Sequence, residues 1–556
     1  MKRKILGIFF LIIAVVLSSC FLVGTSVKNN SSMVKDTYDT DADEINDTEP
    51  IKGGTLRLFS TFVDVLNPIL TKNVYINEYL GFVFEGMVKI NKDQVAIPDL
   101  ADKWYILEDN LTWVFHLKDD VLWHDNTPFT SEDVVFTIET ILNSNIDSIY
   151  KKNLENIAAF SAVDSHSVKI SLKKPNSFTA HLMAFPIMPK HHYAGEDFYK
   201  SSKNMSPMGT GPYRFESYEE NKALRLRAND SWHNKTLVIT TDKYEVSTPY
   251  IVEIEIKLYD SDGKGEGLLK IGEIDVLNLE SESMGDFIER TYYNRKKYIG
   301  RYYDFLAFNT NRWQLNENLI RKAISYAIDK DALVSEEGNR YLVAADIPLI
   351  PDTHFYSTNI VEHSCDLKKA KDLLKEAGFE ESGESMTRLG NPLSLDLIVN
   401  RDNELRVKMA EKISEQLERI GIVVELKKIS WNDEQRRLKN GSFDMCVIGC
   451  KIPSEPDMSF LYTTENIVGG MNISKFSDPK LDEVFLKISK EIDENEQKAL
   501  FNDVRNIINL EVPYAGLYFY NNMMVYSKKI RGIKEPSIWN RYNDITKWYI
   551  PVKIPN

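Results

Sequence analysis

The sequence predicts an α/β protein, and three stretches carry the prediction. Leu405, Met409, Ile413 and Leu417 recur at helical spacing, Gly421 supplies a left-handed stop, and Ile422-Val423-Val424-Glu425-Leu426 follows as a buried strand. Thr130-Ser131-Glu132-Asp133 is a capping signal ahead of Val134, Ile138, Ile141 and Leu142, which share one helix face. Phe443-Asp444-Met445-Cys446-Val447-Ile448-Gly449-Cys450 reads as a further buried strand. Helices that feed into strands in this way build layers of sheet and helix. Asn318 is placed to cap one more helix, with Leu319, Ala323, Tyr326 and Ala327 along its stripe.

The first fifty residues are of another kind. Met1-Lys2-Arg3-Lys4 is basic, residues 5–17 are apolar, and Leu17-Ser18-Ser19-Cys20 closes the run with small residues and a Cys. This is the layout of a secretory signal, and its end resembles the lipobox of bacterial lipoproteins. That resemblance implies a signal peptide over 1–19 and a lipid on Cys20. Apolar character continues to Val23, so an uncleaved anchor of about 20 residues and ordinary cleavage without lipid are the alternatives. All three place the body outside the cytoplasm. Residues 24–50 carry Asp36, Asp39, Asp41, Asp43, Glu44, Asp47 and Glu49 against Lys28 and Lys35. Such a segment is too polar to bury a core, so 20–50 is expected to be a flexible tether.

A chain of 556 residues suggests two or three domains, and a hydrophobic content of 43% is ample for their cores. No later apolar run is long enough to cross a membrane. The net charge of -14, with no Lys/Arg stripe, argues against a nucleic-acid partner. Beyond Cys20 only Cys365, Cys446 and Cys450 remain. Cys446 and Cys450 are four strand steps apart, roughly 13 Å, beyond the roughly 7 Å limit for a bridge. Free, mostly buried thiols are expected.

A search for reactive constellations is negative. No HExxH, G-x-S-x-G, Walker A or paired CxxC occurs. Pro212 in Gly209-Thr210-Gly211-Pro212-Tyr213 removes a donor that a phosphate cradle needs, so a sharp turn is the better reading. His116, His124 and the pair His191-His192, read as a loop, lack a nucleophile or further ligands at suitable spacing. No catalysis, metal or cofactor is expected.

Several segments, in order, resemble the family 5 extracellular solute-binding proteins, the oligopeptide- and dipeptide-binding components of ABC importers. They are Gly53-Gly54-Thr55-Leu56-Arg57, Leu66-Asn67-Pro68, Phe84-Glu85-Gly86-Met87-Val88, Pro98-Asp99-Leu100-Ala101-Asp102-Lys103-Trp104 and the stretch from Trp113 to Val134. Gly209-Thr210-Gly211-Pro212-Tyr213, Gly272-Glu273-Ile274-Asp275-Val276, Arg321-Lys322-Ala323-Ile324-Ser325-Tyr326-Ala327-Ile328-Asp329 and Ala370-Lys371-Asp372-Leu373-Leu374 follow. Asn126 stands where Gly is usual. The resemblance implies a two-lobed, periplasmic-binding-protein-like fold of type II with a hinge. Lobe I is expected to combine 51–90, 207–305 and 525–556, with 91–206 as its inserted subdomain, and lobe II to span 306–524. It also implies a monomer, tethered at a Gram-positive-type surface, that passes a peptide or peptide-like ligand to the transmembrane subunits of an ABC permease.

The same resemblance assigns the site. Trp431 matches a pocket Trp of the oligopeptide binders, and Lys72-Asn73-Val74-Tyr75 matches a stretch that lines the cleft, with Lys72 where relatives can have an acid. Peptide-binding relatives hold the ligand's amino group with an Asp in the loop that here reads Cys450-Lys451-Ile452-Pro453-Ser454-Glu455-Pro456-Asp457. Alignment puts Ile452 or Pro453 at that position, and Cys450 where an aromatic is usual. Glu455 and Asp457 are the nearest substitutes, whereas Lys451 suits an anionic group. Loss of the Asp keeps open a non-peptide solute, such as an oligosaccharide or a metal chelate. A surface sensor or adhesin that is not coupled to uptake is a further alternative.

Overall fold

The computed structural model describes residues 50–239, 245–280, 284, 287, 292–335, 341–356 and 364–551. Cys20, the 1–19 signal and the tether up to residue 49 lie outside the described residues.

Strict alternation builds the first sheet. Thr55–Ser60 runs parallel to Glu253–Leu258, which pairs with Ala223–Ala228 and through it with Tyr213–Glu219. Leu56, Leu58, Leu224, Leu226, Ile254 and Ile256 all point to one buried face. A second antiparallel sheet orders Ala101–Ile106, Thr112–Leu117, Ser167–Leu172 and Ile157–Asp164. The helix Ser131–Leu142 lies near its last two strands, with Val134, Ile138 and Ile141 buried. Its expected start is present: the Thr130 N–H donates to Asp133 Oδ2 at 3.0 Å. Both sheets share one hydrophobic core.

The third sheet holds the molecule together. Its order is Val276–Leu279, Tyr514–Ser527, Tyr293–Phe308, Met445–Lys451, Ser394–Asn400 and Val423–Ile429. The two long strands pair antiparallel from Tyr293↔Ser527 to Ile299↔Asn521, break, and resume from Tyr303↔Phe519. Before the break they send Tyr298, Met524 and Tyr526 into the first core. After it they send Leu306, Phe308, Ala515 and Leu517 into a second, which also buries the helix Glu404–Glu418 through Met409, Ile413 and Leu417. The fold is therefore a two-lobed α/β architecture, with both lobes strung on one pair of strands. A further contact joins them: Phe178 is buried against Phe355 and Phe501, and Ser177 Oγ donates to Ile488 O at 2.7 Å.

One buried ion pair fixes the second lobe to the long strands. Arg406 Nε and Nη2 donate to Asp304 Oδ2 and Oδ1 at 2.9 and 2.7 Å. Tyr520 Oη adds a hydrogen bond to Asp304 at 2.8 Å. The next strand tolerates no side chain there, because a Cβ on Gly449 would sit 1.8 Å from Asp304 Oδ1.

Several expectations are corrected. Val423–Ile429 is a sheet edge with alternately exposed residues, not a buried strand. Glu317, not Asn318, occupies the cap position of the helix Asn318–Ala327, because another helical turn, Trp313–Asn316, runs directly into it. That helix buries Ile320 and Ile324, leaving Leu319 and Tyr326 only partly covered. His191 and His192 lie in a short helix, Lys190–Tyr193, rather than a loop. Cys365 is exposed, whereas Cys446 and Cys450 are free and buried as expected.

Asp304→Ala leaves Arg406 buried without its partner, so it is expected to destabilise the chain by about 3–5 kcal/mol in urea denaturation. A second prediction concerns pH. Burial, then the charge of Glu85, pushes the Asp99 carboxyl up to about 6. Its folded-state value exceeds its unfolded one, so stability falls as pH rises through about 6. Asp99→Asn is expected to match the native chain at pH 4 and to exceed it at pH 7.5 by on the order of 1–3 kcal/mol.

Candidate functional site

Three strands of the large sheet run parallel. Asn400 pairs with Ile429, so Ser394–Asn400 and Val423–Ile429 end together, whereas Met445–Lys451, paired at Val447 with Val399, continues past them to Lys451. Carboxyl ends of parallel strands are where α/β sheets hold ligands. Trp431 leaves one of these ends as the first residue of the helix Trp431–Asn440, with Ser430 capping Asp433 N. Its ring is 47% exposed and joins no hydrophobic core among the described residues. Two strands away, and further along, Lys451 ends its strand opposite Tyr302.

The loop after Lys451 is bracketed by one residue. Ile452 N donates to Arg301 O at 2.9 Å, and Arg301 Nε donates to Ile452 O at 2.7 Å. The Ile452 side chain is buried in the second lobe. The Arg301 guanidinium lies over the Trp539 ring at 5.1 Å. Gln94 Nε2, from the inserted segment, reaches Ser454 O at 3.3 Å. The two nearby acids are already engaged. Asp457 accepts from Ser459 N at 2.8 Å and from Ser459 Oγ at 2.9 Å, as a turn cap. Glu455 accepts from Ser454 Oγ at 3.0 Å. Burial raises both carboxyls above their ordinary values.

A further candidate stretch is the start of the helix Val74–Leu80. Asn73 caps the helix Val74–Leu80 by accepting from Tyr75 N and Ile76 N. This leaves Val74 75% exposed at the helix start. Glu78 of that helix pairs with Arg541 Nη1 at 3.3 Å. The charges of Arg541 and of Glu280, which follows the strand Val276–Leu279, are both felt at Lys451. Lys72 instead turns to Asp147, with Nζ to Oδ2 at 3.1 Å. The structure thus places the helix that starts at Val74 beside Arg541, and Arg301 beside the loop after Lys451. Trp431 follows a strand two positions away, Asp457 accepts from Ser459, and Lys72 pairs with Asp147.

A cavity of about 190 Å³ adjoins this junction, lined by Lys92, Asp93, Tyr298, Asp352 and Trp539 among others. Among the described residues no cluster of three His, Cys, Asp or Glu is arranged for a metal. His124 is held by Gly209 N at 3.3 Å and by Gly211 O at 3.0 Å, His116 by Ser167, and His191 by Asp125. Gly209 itself crosses the chain so closely that a Cβ would lie 1.8 Å from Val83 O.

Sequence reasoning missed Arg301, Trp539, Arg541, Glu280 and Gln94. Arg301 is one basic residue in a strand, and Trp539 and Arg541 lie in an irregular C-terminal segment. No periodicity or motif marks any of them.

The profile of the bacterial extracellular solute-binding proteins, family 5 (middle region), matches residues 95–469. The oligopeptide-binding protein AppA of Bacillus subtilis is 24% identical over 99% of this chain and 100% of its own length. The heme-binding protein A of Haemophilus influenzae is 25% identical over 81% of this chain and 84% of its own. The structure of HbpA2 from Haemophilus parasuis superposes with a TM-score of 0.77 at 22% identity, covering 90% of this chain and 100% of that one.

Two substitutions separate ligand surface from scaffold. Trp431→Ala is expected to change stability by no more than about 0.5 kcal/mol, because the ring supports no core. Arg301→Ala strips Ile452 O of a donor and is expected to cost about 1–3 kcal/mol. Urea denaturation of both variants without ligand checks the contrast.

Proposed function

We propose a receptor for peptides or peptide-like solutes, because this chain belongs to the bacterial extracellular solute-binding proteins of family 5. Members of this family bind solutes rather than convert them. In our reading the ligand is enclosed between lobe I (51–90, 207–305 and 525–556, with the insert 91–206) and lobe II (306–524). The observation that carries this reading is an exposed Trp431 at the carboxyl edge of three parallel strands, on lobes joined by two long strands. An aromatic wall packs on many side chains with little selectivity, which suits a ligand of variable sequence. Ligand that touches both lobes favours the closed arrangement, and a closed form is what the transmembrane subunits of an ABC permease can distinguish. Removal of 1–19 and lipid on Cys20 hold the receptor at the cell surface as a monomer, with 20–50 as its reach. One acyl chain binds a membrane only marginally, so Cys20 carries more than one.

A second reading keeps the fold and changes the cargo to a non-peptide solute. It is favoured by Ile452, which is buried, or Pro453 standing where the resemblance expects an acid, and by a relative named for heme.

A ligand that binds only the native state raises the melting temperature. A mixed peptide pool is expected to stabilise the chain, and Trp431→Ala to weaken that binding by about 1–3 kcal/mol. No shift across diverse peptides, with a non-peptide solute found by mass spectrometry of the native protein, selects the second reading.

A further inference from the structure

This inference rests on the reading above, in which two lobes close on a ligand, and concerns what holds them shut. Besides the long strands, two loops anchored in the first core reach the second lobe. One is the turn 91–95 between the strands Val88–Ile90 and Ala96–Pro98. Its Asp93 O accepts from His354 N at 3.1 Å, and Gln94 Nε2 donates to Ser454 O at 3.3 Å. Gln94 is buried and held at φ 60, a left-handed conformation uncommon for a residue with a side chain.

The other loop is 174–178. Ser177 Oγ donates to Ile488 O at 2.7 Å, and Ile488 ends the helix Pro479–Ile488. Phe178 leaves the core of its chain neighbours. Ala180 and Met183 lie in the first core, whereas the Phe178 ring is 4% exposed within the second lobe. Its ring centroid is 6.0 Å from that of Phe355 and 6.3 Å from that of Phe501. The Lys174–Glu465 pair, 3.7 Å apart and exposed on both sides, adds little.

Both loops are braced from the first-core side. Asn176 Oδ1 accepts from Phe178 N at 2.9 Å, and Asn176 O from Thr179 Oγ1 at 2.6 Å, which fixes the turn that presents the ring. His181 ties the loops to each other. Its Nε2 donates to Gln94 O at 3.1 Å, and its ring meets Phe178 edge-on at 5.6 Å. Burial lowers its imidazole to about 4, so this joint is neutral. All the contacts to the second lobe are lost if the lobes part. Drawing Phe178 out exposes its ring and leaves a cavity behind, so parting is a discrete step in a close-packed interior and not a gradual slide.

We infer that these two loops form a clasp, with Phe178 as its plug, that holds the lobes shut through the protein's own contacts, and that ligand entry and release require the plug to withdraw.

The test is hydrogen exchange of the full chain in detergent, dialysed free of solute and resolved to single amides by fragmentation. The segment 350–356 carries its own control. His354 N is bonded across the clasp, whereas Thr353 N and Tyr356 N are bonded to Ile350 O and Thr353 O within the second lobe. Opening of the clasp speeds exchange at His354 alone, and loosening of the segment speeds all three. His354 is expected to be protected in the native chain without ligand. Phe178→Ala removes the plug. Ser177→Asp sets a carboxylate against the carbonyl end of a helix, where negative charge is unfavourable, and leaves the buried ring in place. Each is expected to speed exchange at His354 at least about tenfold, and at Thr353 and Tyr356 by less than about twofold. Urea denaturation checks that both variants fold, and if Phe178→Ala does not, Ser177→Asp alone decides. An unprotected His354 in the native chain, an unchanged His354 in either folded variant, or equal acceleration of all three amides in Ser177→Asp overturns the inference. A mixed peptide pool is then expected to restore protection of His354 in Ser177→Asp. A pool that leaves it unchanged counts against the peptide reading and not against the clasp, which the ligand-free comparison decides.

Discussion

The antiparallel ladder between Tyr293–Phe308 and Tyr514–Ser527 is the constraint on which the rest of the molecule depends. Each strand is long enough to leave one hydrophobic core and enter another, so the lobes are linked by backbone hydrogen bonds and not by a flexible linker. The register breaks between Ile299 and Tyr303. Irregular pairing locally disrupts a ladder and bends its strand, which places the bend between the two cores. Directly after it, Asp304 and Arg406 lock the second lobe to the strand. A buried ion pair is a poor source of net stability but a strong specifier of position. Here it sets the helix Glu404–Glu418 and Gly449 at fixed depth, and so sets where the neighbouring strands end.

The recognition surface follows from that placement. Arg301 lies within the break and reaches over to bind the loop that begins at Ile452. The same few residues thus shape the bend and the loop against which a ligand rests, and a change at one is felt at the other. Opposite, the helix Val74–Leu80 and Arg541 are joined through Glu78, although 463 residues separate them in sequence.

Much of this was legible in the sequence, and what was not has a common cause. The helix after Thr130 and the helix-Gly421-strand unit are set by capping and periodicity within a few residues, and both formed where expected. The strand 422–426 was read as buried because its residues are apolar, yet it lies at an edge, and neighbours in the sheet, not its own composition, decide that. Asn318 was chosen as a cap from residue type alone, and the preceding turn displaced it. Among candidate site residues, Trp431 and Lys451 are legible in the sequence because they sit beside recognisable segments. Lys72 is legible on the same grounds, and only the fold shows its ion pair with Asp147.

By itself the sequence determined the α/β class, the caps and stripes of individual helices, the family resemblance, and the absence of an acid at Ile452 and Pro453. These are properties of residue type at short spacing, where local backbone energetics dominate. Only the tertiary structure decided that Arg301 binds the loop after Lys451, that Arg541 pairs with Glu78, that Asp457 accepts from Ser459, and that Trp431 remains exposed. Those facts depend on strand register and on which lobe each loop faces. A charge acts over distances in space, and the distances here are closed by a ladder of hydrogen bonds between strands more than two hundred residues apart.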